Sequence, residues 1–452
     1  MTIVARLTPA AAMLGTLLLR GAVAFGAPAE EAYVPEPMPP GVRVIPTEAD
    51  GNVFADASGH TLYIWPQHEQ RNGNAGEEKG KPLCDDTVAR ETMGWMSPYP
   101  PGLELPDLDT RPTCAQVWPP FMAPAGATPT GKWTVIERSG GAKQWAYDGM
   151  AVYTSVLDRE PGDVLGGHTR LVRSDGASIR VPIGPLPNVP SQFAVVSVAT
   201  GRLVTLRSGF SVYTWDRDGS NKSNCTGACL QQWSPVLAPD YAHPDGEWSI
   251  FARAPGIKQW AFRGKPVYAH NSDWKARSMD GADETGWHNV YTKRQPDPPR
   301  GFFTTQDSRS GEVLADARGM TVYIYYCGED SLHQLACDHP DAPQIYRFAI
   351  CGRKFDPADC VKTFPYVIAP ENAKSGSRIW STMYIDPASG RKSRAGAGGA
   401  LHVWAYRGRP IYTFAGDKQP GDINGDGWGE ATGKRNGFKA FWLRDAFRSQ
   451  SE

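Results

Sequence analysis

The chain has 452 residues, of which 21% are charged, and its 47 lysines and arginines nearly balance 48 aspartates and glutamates. That length exceeds what one hydrophobic core usually organises and points to about two to four modules. The near-neutral balance leaves no basic field to gather phosphates, which excludes nucleic acid as the main partner. Glycine (48), proline (39), tryptophan (15) and tyrosine (17) are abundant, as in chains of many short strands joined by specific turns, with large rings filling thin cores.

Residues 1–24 read as an export signal. Arg6 supplies a positive start, Ala10 to Leu19 form a short apolar run broken by Arg20, and Ala22-Val23-Ala24 offers a small-x-small cleavage pattern. The run is too short to span a bilayer, and no other apolar stretch is long enough to do so. Residues 25–50, with Ala, Glu and Pro, read as a leader. Eight cysteines, an even number, fit an oxidising compartment and up to four disulfides, so the expected location is secreted or periplasmic.

Internal similarity organises the rest. Gly51 to Tyr63, Gly201 to Tyr213 and Gly311 to Tyr323 share one spacing, with a second glycine at Gly59, Gly209 and Gly319. Alternating apolar residues flank that glycine, which is a hairpin signature. A corner follows in each copy: Trp118-Pro-Pro-Phe-Met-Ala-Pro124, Trp233-Ser-Pro-Val-Leu-Ala-Pro239 and Phe364-Pro-Tyr-Val-Ile-Ala-Pro370. Next come Trp145, Trp260 and Trp404 in matching strands, each leading to a tyrosine at Tyr153, Tyr268 or Tyr412. The fold class implied is all-β: three tandem repeats of antiparallel hairpins, each repeat made of two similar halves. Separate units and a propeller-like ring both fit. Proline-rich linkers set the repeats at 51–180, 191–294 and 301–447, with insertions at 66–113 in the first and 327–359 in the third.

These residues resemble the bacterial secreted-repeat family of unknown function, predicted lipoproteins that carry a Tyr-x-(Phe/Trp/Tyr)-x-x-Asp motif. Tyr213, Trp215 and Asp218 fit the pattern fully, as do Tyr412, Phe414 and Asp417. Tyr63 with Trp65 ends on His68, and Tyr323 with Tyr325 ends on Gly328. Tyr153 with Asp158 has Ser155 in the middle, and Tyr268 with Asp273 has His270. The resemblance implies an extracytoplasmic repeat protein without a settled activity. The chain departs from the family name in that no cysteine follows the apolar run for lipid attachment.

Residues two apart on a strand share a face, so the motif rings are expected in the core, with the Asp in the following turn accepting backbone N–H groups. A row of exposed rings gripping a flat ligand is the functional alternative. Cys114, Cys229 and Cys360 each stand four residues before a corner ring. The expected bonds are Cys84–Cys114, Cys225–Cys229, and Cys360 with Cys327, Cys337 or Cys351. Reduced Cys225 and Cys229 would instead suit Cu(I), with His270, Met93 and Met96 as further ligands. Asp422, Asn424 and Asp426, followed by Gly427, alternate as in a calcium loop, with Glu430 as a further oxygen donor.

Catalytic motifs are missing: there is no Gly-x-Ser-x-Gly, His-Glu-x-x-His or phosphate loop in the sequence. Glu137, Asp158 and Glu160 could form carboxylate pairs of the glycosidase type, but surface charge explains each more simply. The leading expectation is a non-catalytic extracytoplasmic protein that binds a ligand or partner, or acts as a scaffold. A redox or copper-handling protein and a carbohydrate-active enzyme are the alternatives.

Overall fold

Two hairpins recur in every repeat. In the computed structural model, which describes residues 31–70, 73–86, 112–167, 180–274, 276–326, 338–342, 344–429 and 437–445, short antiparallel strands dominate and helices are few. The leading hairpin of each repeat joins Arg43–Pro46 to Asn52–Ala55, Phe193–Val198 to Gly201–Leu206, or Phe303–Ser308 to Gly311–Asp316. Residues 43–46 therefore pair inside the first repeat, although the sequence places them in the leader. Their four-residue strand is mostly exposed and carries no alternation by which to find it.

The second hairpin joins Trp133–Glu137 to Lys143–Tyr147, Trp248–Ala254 to Ile257–Phe262, and Trp380–Ile385 to Leu401–Tyr406. Asp148-Gly149, Arg263-Gly264 and Arg407-Gly408 then reverse the chain, with φ of 49° and 80°, 49° and 75°, and 48° and 72°. Positive φ at both central residues makes a type I′ turn, whose twist matches that of the strands, and glycine adopts it without a Cβ penalty. Trp145, Trp260 and Trp404 are only 2%, 2% and 1% exposed, as the repeat predicts. A second set, Trp133, Trp248 and Trp380, starts the same hairpins and packs beside Tyr147, Phe262 and Tyr406.

At the centre of each repeat two tyrosines stand directly opposite one another: Tyr63 and Tyr153, Tyr213 and Tyr268, Tyr323 and Tyr412. In the second repeat the order across this sheet is Trp233–Pro235, Tyr268–His270, Tyr213–Trp215, Trp287–Asn289. Each half of the repeat thus contributes its motif strand to a shared seam.

Among the described residues, the repeats pack against one another. One apolar cluster includes Val198, Leu203 and Tyr291 of the second repeat with Val313, Trp380 and Phe441 of the third. Arg407 meets Asp50 at 2.6 Å, both side chains buried. Arg378 reaches Glu160 at 2.8 Å and Asp163 at 2.9 Å, and Gln295 donates to the Tyr406 hydroxyl at 2.8 Å. Removing one partner of the buried Arg407–Asp50 pair would strand a charge where the first and third repeats meet. None of the described helices is long and apolar enough to cross a membrane.

Candidate functional site

The motif tyrosines are buried, and their hydroxyls cross to the opposite half. Tyr213 donates to Asp273 at 2.8 Å, and Tyr268 donates to Asp218 at 2.8 Å. Tyr63 donates to Asp158 and Tyr323 to Asp417, both at 2.7 Å. In the first repeat, where the first motif ends on His68, Glu77 from the insertion accepts from Tyr153 at 2.6 Å. In the third, the Arg347 guanidinium lies 5.3 Å from the Tyr412 ring centre. Burial pushes these tyrosines well above their usual range, Tyr268 to about 12. Burial also raises Asp218 and Asp417, and takes Asp158 up to about 7. Asp158 is therefore an internal group, only 4% exposed, and not the surface charge expected from sequence. Glu160 lies outside on Arg378, and Glu137 is exposed.

The same carboxylates accept backbone N–H groups, as the turn reading requires. Asp158 Oδ1 takes Leu165 N and Gly166 N, Asp218 Oδ1 takes Asn224 N, and Asp417 Oδ1 takes Asn424 N. A glycine stands eight residues after each second-half aspartate: Gly166, Gly281 and Gly425. A Cβ at Gly281 would lie 2.6 Å from the Trp233 ring and 3.0 Å from the Tyr213 ring, and one at Gly425 would lie 2.8 Å from Phe414. Only a residue without a side chain lets the loop seat on the rings.

This loop also bears on the calcium expectation. Asp422 Oδ2 accepts Lys418 N at 2.8 Å and Gln419 N at 3.1 Å. Asp163 in the first repeat accepts Arg159 N and Glu160 N in the same way, without the Asp-x-Asn-x-Asp alternation. Asp426 Oδ1 accepts Ala440 N at 2.9 Å, and Glu430 lies outside the described residues. Backbone bonds hold Asp422 below the usual carboxylate range, so as a turn cap it is already supplied with donors.

A three-layer stack sits beside each tyrosine seam, and its middle layer comes from the end of the repeat. In the second repeat Trp287 lies between Trp215 (5.2 Å, 8°) and Trp233 (3.5 Å, 4°). In the third, Phe438 stacks on Phe364 (3.6 Å, 5°), while Tyr325 closes the other side 5.2 Å away and tilted by 51°. In the first, the Arg180 guanidinium lies 3.8 Å from the Trp65 ring and 4.8 Å from Trp118. Trp287 pairs in register with Trp215, and Phe438 with Tyr325. Arg180 directly precedes Val181, which pairs with Ile64. The outer rings of the stack were legible as motif and corner residues. The middle residue differs in type from repeat to repeat, so identity could not reveal it.

Among the described residues three disulfides adjoin these stacks: Cys84–Cys114, Cys225–Cys229 and Cys351–Cys360. Cys360 thus bonds Cys351; Cys327, Cys337, Met93 and Met96 lie outside the described residues. With Cys225 and Cys229 bonded, the copper reading would require that bond to be reduced first. Arg138 spans from Gln144 (2.6 Å) to the Cys84 carbonyl, and Arg253 from Gln259 (2.8 Å) to the Cys225 carbonyl. Gln144 and Gln259 in turn donate to Val152 O and Val267 O. Val403 occupies that position in the third repeat, which lacks the network. A Gln followed by Trp-Ala, with an Arg six residues earlier, was the available signal.

The second repeat carries one further polar group in its seam. His270 Nδ1 lies 3.2 Å from Asp273 Oδ1, and its Nε2 lies 3.4 Å from Glu284 Oε1. Trp233 Nε1 donates to the other Glu284 oxygen at 3.1 Å, and the imidazole leans on the Trp233 ring at 4.6 Å. Asp273 first, then Glu284, raises the His270 pKa against the opposing effect of burial. Ser155 and Phe414 take this motif position in the other repeats. The segment behind Glu284 forms a wall of a cleft of about 340 Å³ between the second and third repeats, lined in part by Met279, Trp287, Asn289, Arg294, Trp380 and Arg444. Arg444 ties its floor to Asp283 and Glu312.

Three regions of the chain match the model of a family described as a secreted repeat of unknown function: residues 134–167, 194–237 and 400–436. The first and third regions hold the second half of their repeats, and the middle one holds a first half, in keeping with two similar halves per repeat. Searches of curated proteins and of solved structures find no match.

Proposed function

We propose that this chain, which carries three copies of a secreted repeat of unknown function, works outside the cytoplasm as a non-catalytic binding or scaffold protein. The observation that carries this reading is where the recurring polar chemistry goes. The motif tyrosines and aspartates bond to each other and to backbone inside the repeats, so the motif serves assembly. Recognition then falls to surfaces that differ between repeats, and the cleft beside Trp287, Asn289 and Arg294 offers rings with polar groups converging from two repeats. The disulfides fit an oxidising environment.

The test presents the purified protein to a glycan array and to a displayed peptide library, alongside the variants Asn289→Ala and Arg294→Glu. Saturable binding by the parent, weakened in both variants at unchanged melting temperature, supports the reading. Turnover of chromogenic glycosides, or catalysed reduction of a disulfide substrate, would overturn it in favour of an enzyme.

A further inference from the structure

We propose that His270 is a proton-operated latch that holds the Asp280–Glu284 turn against the seam of the second repeat when protonated, and loosens it when neutral. The Trp287–Asn289 strand that follows is held by its own pairing with Tyr213–Trp215 and by the Trp287 stack; the turn before it meets the seam where the Glu284 carboxylate bonds Trp233 Nε1 and approaches His270, and where Gly281 sits against the Trp233 and Tyr213 rings. The titratable groups facing His270 are Asp273 from the loop after its own strand, Glu284 from the latched segment, and Tyr213 from the neighbouring strand, whose hydroxyl is already donated to Asp273. Two carboxylates therefore flank one imidazole that is 9% exposed. As a cation it donates from both ring nitrogens and pairs with both; as a neutral ring it donates from one alone.

The direction follows from linkage. A histidine with a raised pKa in the folded state contributes its full stabilisation below the ordinary value of about 6.5 and loses it as pH rises through the folded value. The latch is closed in acid and open in mildly alkaline medium. Because Met279 and Ala282 line the cleft, loosening the turn loosens one of its walls. That consequence rests on the cleft reading above, whereas the latch itself does not.

Hydrogen exchange of peptides covering 279–286, corrected for the intrinsic pH dependence of exchange, separates the two. Between pH 5.5 and 8.5 the corrected exchange of the parent should rise by about threefold to tenfold, while peptides from 248–262 change little. His270→Gln, which keeps a neutral hydrogen-bonding side chain, should exchange alike at both pH values. Glu284→Gln should show a reduced response with the overall fold intact. An equal rate in the parent at both pH values, or a full response retained in His270→Gln, would overturn the latch. Either result would leave the glycan and peptide binding tests untouched.

Discussion

Tyr213 and Tyr268 face each other across one backbone pair, and each sends its hydroxyl to the carboxylate that follows the other: Tyr213 to Asp273, Tyr268 to Asp218. The two halves of the repeat are thus joined by reciprocal exchange across the seam. A motif that reads as local in the sequence acts between halves.

Exchange predicts a specific pattern of coupling. Tyr213→Phe and Asp273→Asn should each destabilise by about 1–3 kcal/mol, because a buried partner is left unsatisfied. A double-mutant cycle in urea should give a coupling of about 1 kcal/mol for Tyr213 with Asp273, and under about 0.5 kcal/mol for Tyr213 with Asp218. Coupling to Asp218 instead would mean that each motif is self-contained.

Asp158 predicts a pH dependence. Its folded pKa of about 7 lies above the ordinary carboxylate value of about 3.9, so the native protein keeps a proton that the unfolded chain releases. Its share of stability is highest below about pH 4 and is lost as pH rises toward 7, at roughly 1.4 kcal/mol per unit. Asp158→Asn should remove that slope. Unfolding free energies at about pH 4.5, 6 and 7.5 measure it, and a slope that persists in the variant would assign the effect elsewhere.

The stacks predict large truncation effects at residues that no motif marks. Trp287→Ala should cost about 3–5 kcal/mol, as much as truncating Trp260, which the repeat does mark. Trp287→Phe, which copies the third repeat, should recover much of the loss. Near-neutral Trp287→Ala in chemical denaturation would show that the stack only fills space at the surface.

The loop after Asp417 predicts that a turn cap suffices. Asp163→Ala and Asp422→Ala should lower the melting temperature by similar amounts, and a chelator should leave both the parent and Asp422→Ala unchanged. If chelator lowers the parent's melting temperature and Asp426→Ala abolishes that drop, the loop holds calcium and the cap account fails.

Much of this organisation was legible because repetition marks it. Gly, Trp and Tyr at fixed spacing gave the hairpins, the buried Trp145, Trp260 and Trp404, and the Cys84–Cys114 and Cys225–Cys229 bonds. What escaped was encoded by position alone. Arg180, Trp287 and Phe438 share one place in the stack but no common chemistry, since a guanidinium and an aromatic ring can both lie flat between two rings. Asp158 looked like surface charge because sequence does not disclose that a tyrosine 95 residues away will cover it. The His270–Glu284 contact joins residues whose neighbours in the other repeats differ, so the repeat offered no clue.

The middle layer of each stack has a temporal consequence. Trp287 and Phe438 are supplied by late strands of their repeats and Arg180 by the residue just before one, while the outer rings come earlier in the chain. A chain emerging amino-end first therefore presents an open slot between two rings until the last strand of that repeat has arrived. Until then the repeat stays unsealed and its rings remain accessible to helpers or to wrong neighbours. The closing strand acts as a full stop, and a fragment ending before it, even one carrying both tyrosine motifs, should behave as an unfinished sentence.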